Sequence, residues 1–197
     1  MESLSLRPGA FGWTAIFADF GLLCDEFPGP ALEIWELTGG ATARSKAGVE
    51  VPIRPFLGVV GVARAEAGAW STIPPYETGG NVDTEDLVQG STLYLPVKVP
   101  GALFSCGDGH AAQGDGEVCG TAIETTMRAM IRLTVVKDME WVVSLHYEVP
   151  GGVEAAGNRA PDRGTYSAQG IDKDLREAAR KAVRGVDCVD CGDQGTG

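Results

Sequence analysis

One short run of the chain, Pro100 to Thr126, concentrates most of the side chains that could do chemistry: PGALFSCGDGHAAQGDGEVCGTAIETT. It holds His110, one of two histidines, together with Asp108, Asp115, Glu117 and Glu124, all set among glycines. Glycine lets backbone approach a ligand closely and turn sharply, so acidic and imidazole groups embedded in it read as a site. Asp108 and His110 are two residues apart, which on an extended segment directs both side chains to one side. Asp115 and Glu117 repeat that spacing. An imidazole with hard carboxylate oxygens is a ligand set for a divalent cation, zinc first and calcium second. The metal ligands expected are Asp108, His110 and Asp115. Glu117 is the first choice for moving protons at such a centre, with Glu124 second. The alternative for each carboxylate is to satisfy loop N–H groups.

The other candidates carry less. His146 sits in a strand-like run with Ser144 and Glu148 on its face and reads as structural or surface. Cys106 and Cys119 flank the site, but a thiol nucleophile needs a depressed pKa and a base beside it. Cys188 and Cys191 form a single C-x-x-C, which without a second pair is weak evidence for zinc or redox chemistry. Asp83, Glu85 and Asp86 follow a glycine turn; they read either as a solvated acidic loop or as a loop that brings Asn81 or Asp83 to the site.

The elements that must position these residues are mostly strands. Alternation or β-branched content predicts strands near 31–37, 49–53, 91–99, 121–136 and 141–149, the last two paired as a hairpin. Leu4 and Leu6 alternate with Ser3 and Ser5 as a further strand at the start. PFLGVVGVA, Pro55 to Ala63, reads as a buried strand with close backbone packing. Gly39-Gly40 and Gly151 to Arg163 read as turn and loop. One helix is predicted near 172–185, capped by Asp172, with a stripe of Leu175, Ala178, Ala179, Ala182 and Val183 and an i,i+4 pair from Glu177 to Lys181. Residues 187–197 show no periodicity and are expected to be an unstructured tail to a β domain spanning 1–186.

Composition bounds the reading. The 197 residues suit one domain or two small ones. A net charge of −11 opposes a nucleic-acid partner and an anionic membrane surface. No apolar run approaches the roughly 20 residues of a spanning helix. Five cysteines do not suggest a disulfide framework, and the opening MESLSLRPG is short and polar, so a cytoplasmic setting is expected.

The segment GDGHAAQGDGEVCGTAIE, with PFLGVVGVA, STIPPYETGGNVD and STLYLPVKVPGALFS upstream, resembles the acetamidase/formamidase family. The likeness runs from Arg7-Pro8-Gly9 to about Val186, and several blocks agree in order. It implies a mainly β fold with sandwich-like mixed sheets and one C-terminal helix. It also implies a metal near the acidic-histidine cluster, a homo-oligomer, and hydrolysis of formamide- or acetamide-like substrates to a carboxylate and ammonia. Gln113 is then a candidate to bind the amide. Family members are normally longer, so the fold is expected to be incomplete, with truncation at both ends. The alternative function is a non-catalytic remnant that binds metal or only assembles with partners.

Overall fold

The computed structural model describes residues 1–7, 10–38, 41–154 and 162–192. The chain is mostly β. The strands are β1 Ser3–Leu6, β2 Phe11–Ile16, β3 Ala31–Thr38, β4 Thr42–Ser45, β5 Glu50–Pro52, β6 Phe56–Gly61 and β7 Gly79–Asn81. They continue with β8 Thr92–Tyr94, β9 Ser105–Ala112, β10 Ile123–Thr125, β11 Met127–Met130, β12 His146–Val149 and β13 Thr165–Ala168. Among the described residues, one helix, α1, spans Leu175–Gly192, and a single 3-10 turn covers Asp115–Glu117.

An eight-stranded sheet in the order β5-β4-β3-β2-β10-β9-β6-β7 forms the body. A two-stranded ribbon, β1 with β11, and a three-stranded sheet, β13-β12-β8, accompany it. Each of these ladders is antiparallel, so the sheets are not mixed. Consecutive strands β3 to β5 pair through short connections, which suffice for antiparallel neighbours, whereas parallel ones need long crossovers; β2 reaches β3 through the longer segment 17–30.

β6 confirms the apolar run as a central strand, with five of its six residues buried. Its glycines admit neighbouring backbone: a Cβ on Gly61 would lie 2.6 Å from the backbone nitrogen of Gly80 on β7. Phe56, Leu57 and Val60 of this strand form a core cluster with Leu4 of β1, against which Met127, Ala129 and Ile131 pack. A second cluster, Ala43, Ala111, Ala112 and Ile123, lies under β3, β4, β9 and β10. A third joins Leu87 and Val88 to Tyr147 and Val149 of β12.

Several sequence expectations are corrected. The run 121–136 is not one strand. It divides at Thr126, with β10 entering the large sheet between β2 and β9 and β11 pairing with β1. Over 131–136 no strand is formed, and Leu133 and Val135, which continue the period-two face of Met127, Ala129 and Ile131, are exposed. The hairpin with 141–149 is also absent: only His146–Val149 is a strand, and its neighbours are β8 and β13. In 91–99 the strand stops at Tyr94, two residues before Pro96, which has no N–H to donate to a ladder.

The helix differs in three ways. Asp174, not Asp172, supplies the cap, accepting from the Glu177 N–H at 2.9 Å. Lys181 pairs with Asp172 at 2.9 Å while Glu177 pairs with Arg180 at 3.2 Å. The helix also continues to Gly192, so the tail expected from 187 is helical over its first six residues; residues 193–197 lie outside those described. It docks through small residues: a Cβ on Gly185 would lie 2.8 Å from Cβ of Ala168, and Leu175 and Val183 of the expected stripe face outward. The Gly39-Gly40 turn and residues 155–161 of the expected loop also fall outside the described residues. No described helix is long and apolar enough to cross a membrane.

Phe56 is fully buried and meets the His110 ring edge-on, with centroids 4.9 Å apart. Phe56→Ala should therefore cost about 3–5 kcal/mol of unfolding free energy, measured by urea denaturation of the purified chain.

A buried histidine among four carboxylates

β9 delivers Asp108 and His110 to the middle of the large sheet. β10 lies beside it, and its register sets Glu124 opposite His110. On the other side, Gly58 of β6 stands between residues paired with Gly107 and Gly109, which places it across from Asp108. The Gly58 carbonyl accepts the N–H groups of Val82 and Asp83 at 3.0 and 3.1 Å, bringing the loop after β7 to the same point. The 3-10 turn after β9 supplies Glu117.

The ligand-type atoms of Asp83, Asp108 and His110 all lie within 4.8 Å of one another, and so do those of His110, Glu117 and Glu124. His110 belongs to both sets. Its side chain is 1% exposed, and Nε2 lies 3.4 Å from Asp108 Oδ2 and 3.2 Å from Glu124 Oε2. Those are ion-pair distances, yet Nε2 has no partner with hydrogen-bond geometry, and Asp83 Oδ1 is also buried without one. Nδ1 is 3.0 Å from Gln113 Oε1, and Gln113 Nε2 donates to the Asp83 carbonyl at 2.8 Å.

The structure thus brings together Asp108, His110, Glu117 and Glu124 of the residues singled out by sequence. Asp115 is not in either set. It lies beside Glu85, at the wall of a neighbouring cavity of about 210 Å³ whose lining includes Asp86, Gln113, Tyr147 and Gln169. Gln113 touches that cavity, but its two amide ends are bonded within the protein. Asn81 turns away, donating to the Ile73 carbonyl at 3.0 Å. Asp83 enters the cluster through the loop reading of its acidic stretch; the signal was its position just after the glycine turn of β7. Glu85 had no distinguishing signal beyond its charge. Cys106 is exposed and burial of its sulfur pushes the thiol pKa up, the reverse of an activated nucleophile. His146 is buried apart, edge-on to Trp141 and 3.1 Å from the Tyr166 hydroxyl.

Holding so many acids together strains both backbone and charge. Asp83, Asp108 and Glu117 adopt φ of 43°, 60° and 44°, the left-handed region that non-glycine residues rarely enter. Such strain persists only where surrounding structure enforces it, and it collects at functional sites. Electrostatically, burial raises Glu117 to about 8, helped by its hydrogen bond with Asp83. Burial likewise raises Asp83 above its ordinary value. Glu85 is pushed to about 7 by burial and by Asp115. Asp108 is held below the usual carboxylate range by the His110 ring close beside it. For His110, burial favours the neutral ring, but Asp108 and Glu124 outweigh it and lift the pKa to about 10.

The residues fit a divalent cation. The donor set is one imidazole nitrogen and carboxylate oxygens, which suits such ions. Nε2 is an orphaned buried atom aimed at the carboxylates. Space is kept open at Gly58, where a Cβ would lie 2.6 Å from Asp83 Oδ1 and 2.7 Å from both Asp108 Oδ2 and His110 Cε1.

The charge arrangement has a definite pH signature without metal. His110 has a folded-state pKa of about 10 against an ordinary 6.5, so its contribution is complete below 6.5 and disappears as pH rises toward 10. Glu117, raised from 4.5 to about 8, costs progressively more as it ionises across that interval. Both effects lower stability with rising pH. With a chelator present, the melting temperature should fall between pH 6 and pH 9.5; added zinc should raise it most at the alkaline end. A chelated protein that gains stability over this range would contradict the electrostatic description.

Residues 62–155 match the model of the acetamidase/formamidase family. This stretch contains Asp83, Asp108, His110, Gln113, Glu117 and Glu124. A formamidase of Methylophilus methylotrophus is 43% identical over 77 residues, which are 38% of this chain and 19% of that protein. An acetamidase of Mycolicibacterium smegmatis is 39% identical over 89 residues, 44% of this chain and 18% of the relative. In three dimensions, the crystal structure of an acetamidase from Bacillus halodurans superposes with a TM-score of 0.70 at 26% identity, over 94% of this chain. The chain covers 57% of that structure's length. Sequence blocks, matched segment and fold agree in likening this chain, over residues 62–155, to the acetamidase/formamidase family.

Proposed function

We propose that the chain carries the hydrolytic centre of an amidohydrolase that cleaves the C–N bond of short linear amides to a carboxylate and ammonia. The observation that supports this most strongly is the buried, unbonded Nε2 of His110 facing Asp108 and Glu124 across the space left by Gly58. His110, Asp83, Asp108 and Glu124 are the residues that would hold a divalent cation, and the nitrogen ligand favours zinc over calcium. When bound, such a cation polarises a carbonyl and lowers the pKa of water toward neutrality.

The remaining work falls to the chain. An amide carbonyl is a poor electrophile and ammonia a poor leaving group, so a proton must move from the attacking water to the nitrogen. Glu117, with its pKa near 8, is balanced to accept and return that proton around neutral pH. Glu124 also borders the cluster, but its Oε1 accepts the Ala122 N–H at 3.0 Å, which suits it to a fixed role. The adjoining cavity, about 210 Å³ and walled by Asp115, Glu85 and Asp86, has room for a small neutral amide. Its carboxylates would repel the carboxylate product and favour its departure. The family relatives named formamidase and acetamidase supply the substrate class.

Ammonia release from formamide and acetamide tests this reading, using the purified chain after chelation and after zinc is restored. Activity should appear only with zinc. His110→Ala should lose bound zinc and turnover together. Glu117→Gln should keep zinc and lower kcat by about 10²–10⁴-fold, while Cys106→Ser and Cys119→Ser should be mild. An active His110→Ala beside an inactive Cys119→Ser would replace this account with a thiol mechanism.

A further inference from the structure

Both ends of the Gln113 amide are committed, and the direction of each bond is fixed by chemistry. The Asp83 main-chain carbonyl can only accept, so the group facing it at 2.8 Å must be the Gln113 NH₂. The Gln113 carbonyl oxygen therefore faces His110 Nδ1, at 3.0 Å, and Nδ1 must carry a hydrogen. The lone pair of the neutral ring is then on Nε2, the nitrogen aimed at Asp108 and Glu124. Gln113 can reach because β9 ends at Ala112 and the chain turns immediately after it. The Phe56 ring, edge-on to the imidazole, leaves the Nδ1 bond as the polar restraint on the ring's rotation.

We propose that Gln113 is a positioning residue of the cation site, orienting His110 so that Nε2 is its ligating nitrogen while bracing the backbone of Asp83. It is thus assigned to the support of the ligands and not to the substrate. The inference rests on the cation reading above, and it makes Gln113 the link between two candidate ligands that are 27 residues apart in sequence. Outer-sphere partners of this kind typically contribute 10–100-fold to metal affinity.

The test uses the whole chain with zinc or cadmium-113 alone. Zinc affinity is measured by chelator competition, and nitrogen–cadmium coupling identifies which nitrogen of His110 is bound. Wild type should show coupling through Nε2. Gln113→Met, close in shape but without either bond, should bind zinc about 10–100-fold more weakly and lose the Nε2 coupling. Gln113→Glu, which still accepts from Nδ1, should retain that coupling, and it serves if Gln113→Met fails to fold. A folded Gln113→Met with wild-type affinity and unchanged Nε2 coupling would overturn the assignment, as would a folded Gln113→Glu that has lost the coupling. A wild-type chain with no coupling at His110 would overturn the cation site itself, and this role with it.

Discussion

The structure is governed by the need to keep several carboxylates near one buried imidazole. Asp83, Asp108, Glu117 and Glu124 could bring four negative charges to a space that admits only one compensating proton on His110. Burial raises the pKa values of Asp83 and Glu117, and crowding by the neighbouring carboxylates adds to the cost of ionising all four. Two routes relieve it. Protons can neutralise the acids, or a dication can take the place of the His110 proton and satisfy several oxygens at once. The choice between them sets both the pH response and the chemistry available.

The sheet supplies the rigidity that makes this tolerable. β9 is flanked on both sides, by β10 and β6, so its side chains are fixed by two ladders. Gly58 opens the space and its carbonyl anchors the Asp83 loop, so one glycine serves both packing and placement. Three of the converging carboxylates sit at positive φ, and that local cost is offset by the paired strands around them. Phe56 ties the arrangement to the hydrophobic core, which couples site geometry to folding stability.

Much of this was legible in the residues. Period-two spacing placed Asp108 and His110 together because both lie in one strand. The apolar run PFLGVVGVA announced the buried β6, although its key contribution is the missing side chain of Gly58. Glu124 and Asp83 reach His110 through strand register and a loop contact, which local spacing cannot encode. Asp115 shows the converse: it repeats the Asp108–His110 spacing, but it lies in a 3-10 turn and not in a strand, so it faces Glu85. The run 121–136 carried a clean strand pattern, yet pairing partners decide what becomes a strand. β2 and β9 take its start, β1 takes its middle, and no described strand takes the remainder.

The central claim is that these side chains form one cation site. Diffraction from zinc-soaked crystals, measured on either side of the zinc absorption edge, addresses it directly. The account predicts a strong anomalous peak about 2.0–2.1 Å from His110 Nε2, with carboxylate oxygens from Asp83, Asp108 or Glu124 completing the shell. Zinc bound only at Cys106, Cys119 or His146, with none at His110, would contradict it.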